Sequence, residues 1–321
     1  MEATFKENAK RELLGILPSS ECCIKSFLSA LTKADGTLEG TGRRQVLCVS
    51  LYSLDAAELV SRLFKSLYPT EIGIAECCQK IAGVDRRVYR LIIPHGFTEQ
   101  ALEDFELIRL GEDGLPNFIR GLPERLLRKG CCMQAYLQGL FLACGSVYAP
   151  ESSGGESRQG YHFELKFSDE EFANSAMELL TDMRINPRMS DRSGSKLLYV
   201  KDKDEIVRIL CALGLADSAK RMRDIINERE TANSLNRAII CETANMDKTF
   251  SAASRQMIAI ARIKDRGEYD KLPKALKETA DARAEYSEAS MQELADILGV
   301  SKSCLHHRLD KLEAISSELK Q

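Results

Sequence analysis

The same order of helix-like and strand-like segments runs twice through residues 23–213, and this duplication limits the possible folds more than any other feature of the sequence. An amphipathic helix comes first, carrying Phe5, Leu13, Ile16 and Leu17 and stopped by Pro18. The pattern then reads helix 23–34, strand 45–52, helix 55–67, strands near 72–81 and 88–94, and helix 98–108. After a connecting segment it recurs as helix 131–143, strand 160–167, helix 169–183, strands near 184–189 and 196–200, and helix 203–213. The strand over 160–167 rests on alternation, with Tyr161, Phe163, Leu165 and Phe167 on one face and His162, Glu164 and Lys166 on the other. Helix starts are marked by Ser53-Leu54-Asp55 and by Ser168-Asp169-Glu170-Glu171. Two αββαββα-like halves imply an α+β, pseudo-two-fold domain with a saddle-shaped pair of sheets.

The first helix of each half carries small residues at i, i+4 and i+8: Ser26, Ala30 and Ala34, then Ala135, Gly139 and Ala143. Such a stripe lets two helix backbones approach closely. Alanine is also simply a good helix former, so the weight lies in the stripes falling at matching places of a repeat. Each stripe ends in glycine, Gly36 and Gly145, as expected for a left-handed residue closing a helix.

These two segments, 28–36 (LSALTKADG) and 137–145 (LQGLFLACG), resemble the paired LAGLIDADG helices of homing endonucleases. The resemblance implies that the penultimate position of each copy is an acid holding a divalent metal at the scissile phosphates. The first copy keeps Asp35; the second has Cys144. The neighbouring acidic position has become Lys33 and Leu142. A thiol in place of a carboxylate discourages a hard cation that prefers oxygen ligands, and Lys33 is expected to set a positive charge beside the remaining acid. The fold is expected to survive and the nuclease chemistry to be dismantled, with no catalytic residue and no metal at this site.

Beyond about residue 216 the strand-type alternation stops. Residues 220–283 are helical in pattern and hold 14 basic against 10 acidic residues, with Pro273 near the start of a helix through Leu276 and Ala280 to Arg283. Ser290-Met291-Gln292-Glu293 then forms a capping box that opens a helix through Leu294, Ala295, Ile297 and Leu298. Gly299-Val300-Ser301 makes a turn, and Ser301 can cap a second helix whose Leu305, Leu309 and Leu312 form a buried face. Two short helices across a three-residue turn, with small Ala295 at the crossing, make a helix-turn-helix. Its second helix offers Lys302, Ser303, His306, His307, Arg308 and Lys311 to DNA bases and phosphates. A plain αα-hairpin is the competing reading, since residues 286–321 carry four basic and six acidic side chains. Residues 301–312, however, set Lys302, Arg308 and Lys311 against Asp310 alone.

The two signals together resemble the WhiA family of cell-division and sporulation regulators of Gram-positive bacteria, which joins a degenerate LAGLIDADG domain to a C-terminal helix-turn-helix. Asn236-Arg237, Cys241-Glu242-Thr243-Ala244-Asn245, Lys248-Thr249, Ala252-Ala253, Gln256, Ser301-Lys302-Ser303 and His307-Arg308-Leu309 carry that resemblance. It implies a non-enzymatic DNA-binding transcription regulator of cell division and chromosome segregation, and of sporulation where the organism sporulates. The implied partners are double-stranded promoter DNA and, beyond it, other regulators or RNA polymerase, with no cofactor and no small-molecule substrate. Two other readings stand beside it: an endonuclease or nickase using Asp35, and a protein-interaction scaffold whose only DNA contact is the helix-turn-helix. The expected divisions are 1–107, 108–219 and 220–321, with the helix-turn-helix at about 289–321.

The remaining composition narrows the setting. Net charge is −3, which excludes a polybasic coat but not a local basic surface. Residues 1–10 alternate charges with no apolar run behind them, and the most apolar stretch, 136–149, is too short to cross a membrane. A cytoplasmic, nucleoid-associated protein is expected. There are 11 cysteines and no C-x-x-C spacing, with adjacent pairs at Cys22–Cys23, Cys77–Cys78 and Cys131–Cys132. The expectation is reduced thiols filling cores as small hydrophobes rather than disulfides or zinc ligands.

Overall fold

In the computed structural model the described residues are 3–40, 44–81, 83–111, 116–150, 160–192 and 194–319. They form two units, Met1–Arg229 and Glu230–Gln321, which divide inside a long helix, α8 (Ala216–Asp265).

The first unit opens with α1 (Phe5–Gly15), started by a capping box between Thr4 and Glu7. The first half follows: α2 (Glu21–Asp35), β1 (Gly36–Glu39), β2 (Val46–Leu51), α3 (Leu54–Leu67), β3 (Gly73–Ile81), β4 (Val84–Ile93) and α4 (His95–Asp104). A short hairpin, β5 (Ile108–Leu110) with β6 (Pro116–Phe118), leads to the second half. That half is α5 (Gly130–Cys144), β7 (Gly145–Tyr148), β8 (His162–Phe167), α6 (Glu170–Asp182), β9 (Arg188–Arg192), β10 (Ser195–Val200) and α7 (Lys203–Ala212). The halves share one topology, with antiparallel sheets ordered β1-β2-β4-β3 and β7-β8-β10-β9. The expected side-chain oxygens cap the helices: Ser53 accepts from the Ala56 N–H and Asp169 from the Phe172 N–H.

Alternation in β8 buries Phe163, Leu165 and Phe167, which stand over one core with Phe27, Leu28 and Leu31 of α2 and Leu137, Leu140 and Phe141 of α5. α5 is buried from Ala135 to Ala143, which accounts for its apolar composition without a membrane. Among the described residues no helix is long and apolar enough to span one.

Three expectations shift. The opening strands β1 and β7 carried no recognisable pattern because each is four residues long and starts on the motif glycine itself. The strand expected over 184–189 begins only at Arg188: Arg184 takes a positive φ of 60° and the Ile185 N–H returns to the Leu180 carbonyl, so Ile185 is buried by a helix-ending loop. The helix expected over 98–108 runs earlier, ends at Asp104, and gives Ile108 to β5.

The second unit contains the later part of α8, then α9 (Lys274–Glu285) behind Pro273, α10 (Met291–Ile297) and α11 (Lys302–Glu318). Ile260, Ile263, Leu276, Ala280, Leu294, Ala295, Leu305, Leu309 and Leu312 make its core. Arg283, only 2% exposed, donates to the carbonyl oxygens of Ala289 (2.7 Å) and Tyr286 (3.4 Å) and so fastens the chain between α9 and α10. Burial holds its guanidinium below the usual arginine range.

Candidate nucleic-acid interface

In the first unit the motif helices α2 and α5 pack along each other and bring Ala30 and Gly139 together. A Cβ on Gly139 would lie 2.9 Å from that of Ala30 and closer still to the Phe27 carbonyl oxygen. The second position of each motif performs one task in both halves. Ser29 Oγ donates to the Phe105 carbonyl at the end of α4 (2.7 Å), and Gln138 Nε2 donates to the Leu213 carbonyl at the end of α7 (2.8 Å). Gly36 and Gly145 serve differently from the left-handed role expected of them. Their φ values are −79° and −87°, in extended backbone. What requires glycine is the preceding turn, since a Cβ at Gly36 would strike Thr32 and one at Gly145 would strike Phe141.

Asp35 and Cys144 end the two motif helices and line a cavity of about 760 Å³ with Lys10, Tyr52, Ser53, Arg86, Glu164 and Lys166 among others. Burial pushes the Asp35 carboxyl up to about 6, with Lys10 drawing it partly back, and its Oδ2 is buried without a hydrogen-bond partner. Cys144 donates to the Leu140 carbonyl oxygen (3.3 Å); burial first, and then Asp35, push its thiol up to about 12. At the two motif ends, where the resemblance to LAGLIDADG helices implies a divalent metal, this chain offers one carboxylate and a neutral thiol, with the Lys10 ammonium beside them. That donor set does not fit a hard cation.

The cation that acts on Asp35 is Lys10 of α1 rather than Lys33. Lys33 points away: its Nζ donates to the carbonyl oxygens of Arg120 (2.6 Å) and Gly121 and lies 4.8 Å from the centre of the Phe172 ring. Burial lowers that ammonium to about 8, against the opposing pull of Asp169 and Glu171. Lys10 Nζ instead donates to the Leu142 carbonyl oxygen (3.0 Å), a cation at the carbonyl end of α5 where the helix dipole favours it. Burial also brings Lys10 down to about 8. Two residues later on α1, the Glu12 carboxylate accepts from the backbone N–H of Asp217 and Ser218 (2.8 and 2.9 Å) and caps the start of α8. Neither role is visible in the sequence, because both join positions far apart in the chain.

In the second unit the helix-turn-helix framework has the expected local bonds. Ser290 Oγ accepts from the Glu293 N–H, and the Glu293 carboxylate accepts from the Ser290 N–H. Those bonds hold the Glu293 carboxyl below its ordinary range. Gly299 takes φ 63° in the turn, and Ser301 caps α11 by accepting from the Cys304 N–H. Leu305, Leu309 and Leu312 are buried, as are Leu294 and Ala295 of α10, whereas Ile297 faces solvent.

That packing divides the six proposed DNA-facing residues. Lys302, Ser303, His306 and His307 are exposed and line one shallow depression of about 610 Å³ together with Asp310, whose carboxylate lies 2.7 Å from His306 Nδ1. Lys311 is exposed and Arg308 half-buried; neither lines that depression. Asp310 is therefore part of the surface that the histidines present, as an i,i+4 partner that orients one imidazole.

Comparison with known proteins agrees with both constructions. The model of the WhiA N-terminal LAGLIDADG-like domain matches residues 21–108, that of the WhiA LAGLIDADG-like domain residues 133–232, and that of the WhiA C-terminal HTH domain residues 235–316. The chain is 33% identical to the probable cell division protein WhiA of Bacillus subtilis (strain 168), over 99% of this chain and 97% of that one. It is 32% identical to the protein of the same description from Heliobacterium modesticaldum, over 98% and 96%. The crystal structure of full-length WhiA from Thermatoga maritima superposes with a TM-score of 0.58 at 24% identity, covering 98% of this chain and 99% of that chain. A pseudo-symmetric LAGLIDADG-like fold, a helix-turn-helix with its caps in place, and matches spanning almost every residue lead to one assignment: this chain belongs to the WhiA family.

Proposed function

We propose that this chain is a DNA-binding transcription regulator acting in cell division and chromosome segregation, and in sporulation where its organism sporulates, with a LAGLIDADG-like scaffold that does not cut DNA. The observation that carries the DNA-binding part is the solvent face of α11, where Lys302, Ser303, His306 and His307 stand together on a helix whose opposite face is locked by three buried leucines. Lys302 and Ser303 occupy the first turn, where a recognition helix meets base edges, and Lys311 and Arg308 flank it for phosphates. Promoter DNA is the partner in this reading, with other regulators or RNA polymerase recruited beside it.

The test is fluorescence anisotropy of labelled duplexes with Lys302→Ala, His306→Ala and Arg308→Ala at two salt concentrations. Loss of a phosphate contact lowers affinity for every duplex and reduces the salt slope by about one. Loss of a base contact lowers the preference for one site by about 1–3 kcal/mol. Parent-like binding by all three variants would remove α11 as the reader.

Catalytic inactivity follows from the chemistry of the motif ends. Asp35 has no acid opposite it at the matching motif position, Cys144 there holds its proton, and Lys10 sets a positive charge beside Asp35. Supercoiled plasmid should survive incubation with magnesium or manganese; metal-dependent nicking abolished by Asp35→Ala would restore the nuclease reading. Cys144→Asp alone should not create activity, because water and phosphate positioning would still be missing.

A further inference from the structure

The fold does something with the cysteines that their spacing in the sequence does not suggest. Cys23, Cys48 and Cys132 are buried as expected of small core residues, but Cys78, Cys131, Cys211, Cys241 and Cys304 are exposed. Two of the adjacent pairs also meet. Cys22–Cys23 occupy the first turn of α2 and Cys131–Cys132 the first turn of α5, so the pseudo-two-fold brings both pairs to one end of the helix pair. The Sγ atoms of Cys22, Cys23 and Cys132 all lie within 4.8 Å of one another. Cys131, next to Cys132 on the first turn of α5, is exposed.

We propose that Cys22, Cys23 and Cys132, with Cys131 as fourth ligand, bind a thiophilic divalent cation of the zinc type between the N-terminal ends of α2 and α5. Tetrahedral thiolate zinc has Zn–S bonds of about 2.3 Å and hence sulfur–sulfur separations of about 3.8 Å. The three clustered sulfurs reach that spacing from within 4.8 Å by side-chain rotation, and Cys131 turns in from the surface to complete the set. Neither Ser20 nor Lys129 caps its helix with a side-chain hydrogen bond, so the positive dipole ends favour thiolates there. Lys129, the residue before α5, adds a positive charge at this end of the helix pair. Cysteine ligates as thiolate, so binding releases protons as the metal takes their place. The site lies at the opposite end of α2 and α5 from Asp35 and Cys144, and it draws ligands from both halves of the repeat.

The full chain, reduced and stripped with a chelator under anaerobic conditions, is titrated with cobalt(II). One equivalent should produce the sulfur-to-cobalt charge-transfer band and the intense visible bands of tetrahedral coordination, both erased by one equivalent of zinc. Cys22→Ser and Cys132→Ser should each abolish the tight site. Cys131→Ser should keep it with the charge-transfer intensity reduced by about a quarter, one thiolate of four. Cys211→Ser should change nothing. Cys22→Ser/Cys131→Ser retains both buried thiols, so its far-UV spectrum separates loss of metal from loss of fold. Zinc should raise the melting temperature of the parent and leave that of this double variant unchanged. Absence of the bands at one equivalent, or bands that persist in Cys22→Ser, would overturn the proposal. So would a chain isolated with a Cys22–Cys132 disulfide that takes up no cobalt once reduced.

Discussion

Replacing Gly139 by alanine adds one methyl group at the tightest point of the N-terminal unit. Its Cβ would meet the Ala30 Cβ at 2.9 Å and press against the Phe27 carbonyl oxygen, which belongs to the backbone of α2 and cannot rotate away. Ordinary contact requires the two helices to separate by roughly 1 Å, and a gap of that size forfeits up to about half of each neighbouring dispersion contact. The surrounding side chains Phe27, Leu31, Ala135 and Leu140 are fully or almost fully buried and have no slack to take up. Overpacking usually costs about 1–3 kcal/mol, and a rigid backbone partner places this site near 3 kcal/mol. For a unit of this size that corresponds to a fall in melting temperature of about 6–12 °C. Gly139→Leu should be worse, and Gly15→Ala is the control, because a Cβ there meets nothing within 4 Å. Near-UV circular dichroism reports the transition through the buried tyrosines, Tyr68 and Tyr136. A Gly139→Ala protein that melts with the Gly15→Ala control would refute the close crossing of α2 and α5.

Three further outcomes can be measured on the same protein. Burial raises the folded-state pKa of Asp35 from 3.8 to about 6, so the folded chain holds this proton more tightly than the unfolded one. Its contribution to stability is greatest below about pH 4 and declines as pH rises towards 6. Asp35→Asn should therefore gain about 2 kcal/mol relative to the parent between pH 4 and pH 7 in urea titrations, and a constant difference would contradict the assignment. Ser290→Ala removes the oxygen that caps α10 and should cost about 1 kcal/mol by denaturant midpoint, with weaker DNA binding in proportion to unfolding alone. Arg283→Met leaves the Ala289 carbonyl without its donor and should cost about 1–3 kcal/mol, so an unchanged midpoint would show that the clamp between α9 and α10 contributes nothing.

What could be read from the sequence was local, and what escaped it was long-range. Alternation in β8, the caps at Ser53, Asp169, Ser290 and Ser301, and the leucine spacing of α11 each depend on residues within one or two turns, and each appears in the structure. The repeat itself was legible because it is a pattern of such local signals. Lys33 was misplaced because side-chain direction at the end of α2 is decided by carbonyls at Arg120 and Gly121, almost ninety residues away. Lys10 and Glu12 reached their partners only through the docking of α1, with sequence separations of 132 and more than 200. The cysteine pairs are far apart in the chain, and only the packing of the two halves brings the Sγ atoms of Cys22, Cys23 and Cys132 within 4.8 Å of one another. Short β1 and β7 gave no period to detect. The glycines of the motif were recognised correctly as necessary and assigned the wrong reason, since sequence shows a missing side chain but not which neighbour would collide with one.

The pairing of α2 with α5 also sets an order of events during synthesis. α2 is complete at Asp35, yet the surface it packs against ends at Cys144, about a hundred residues later, or roughly 5–20 s at ordinary translation rates. Through that interval the face bearing Ser26 and Ala30 has no partner from its own chain. That face also carries Phe27 and Leu31, which stay without their α5 neighbours for the same time. The hazard is a first half on a neighbouring ribosome, which presents the same stripe and could pair with it as a swapped dimer. Gly139 counters this: a glycine against Ala30 lets the backbones come closer than alanine against alanine can. On this packing the chain's own second half should displace a borrowed partner once it emerges.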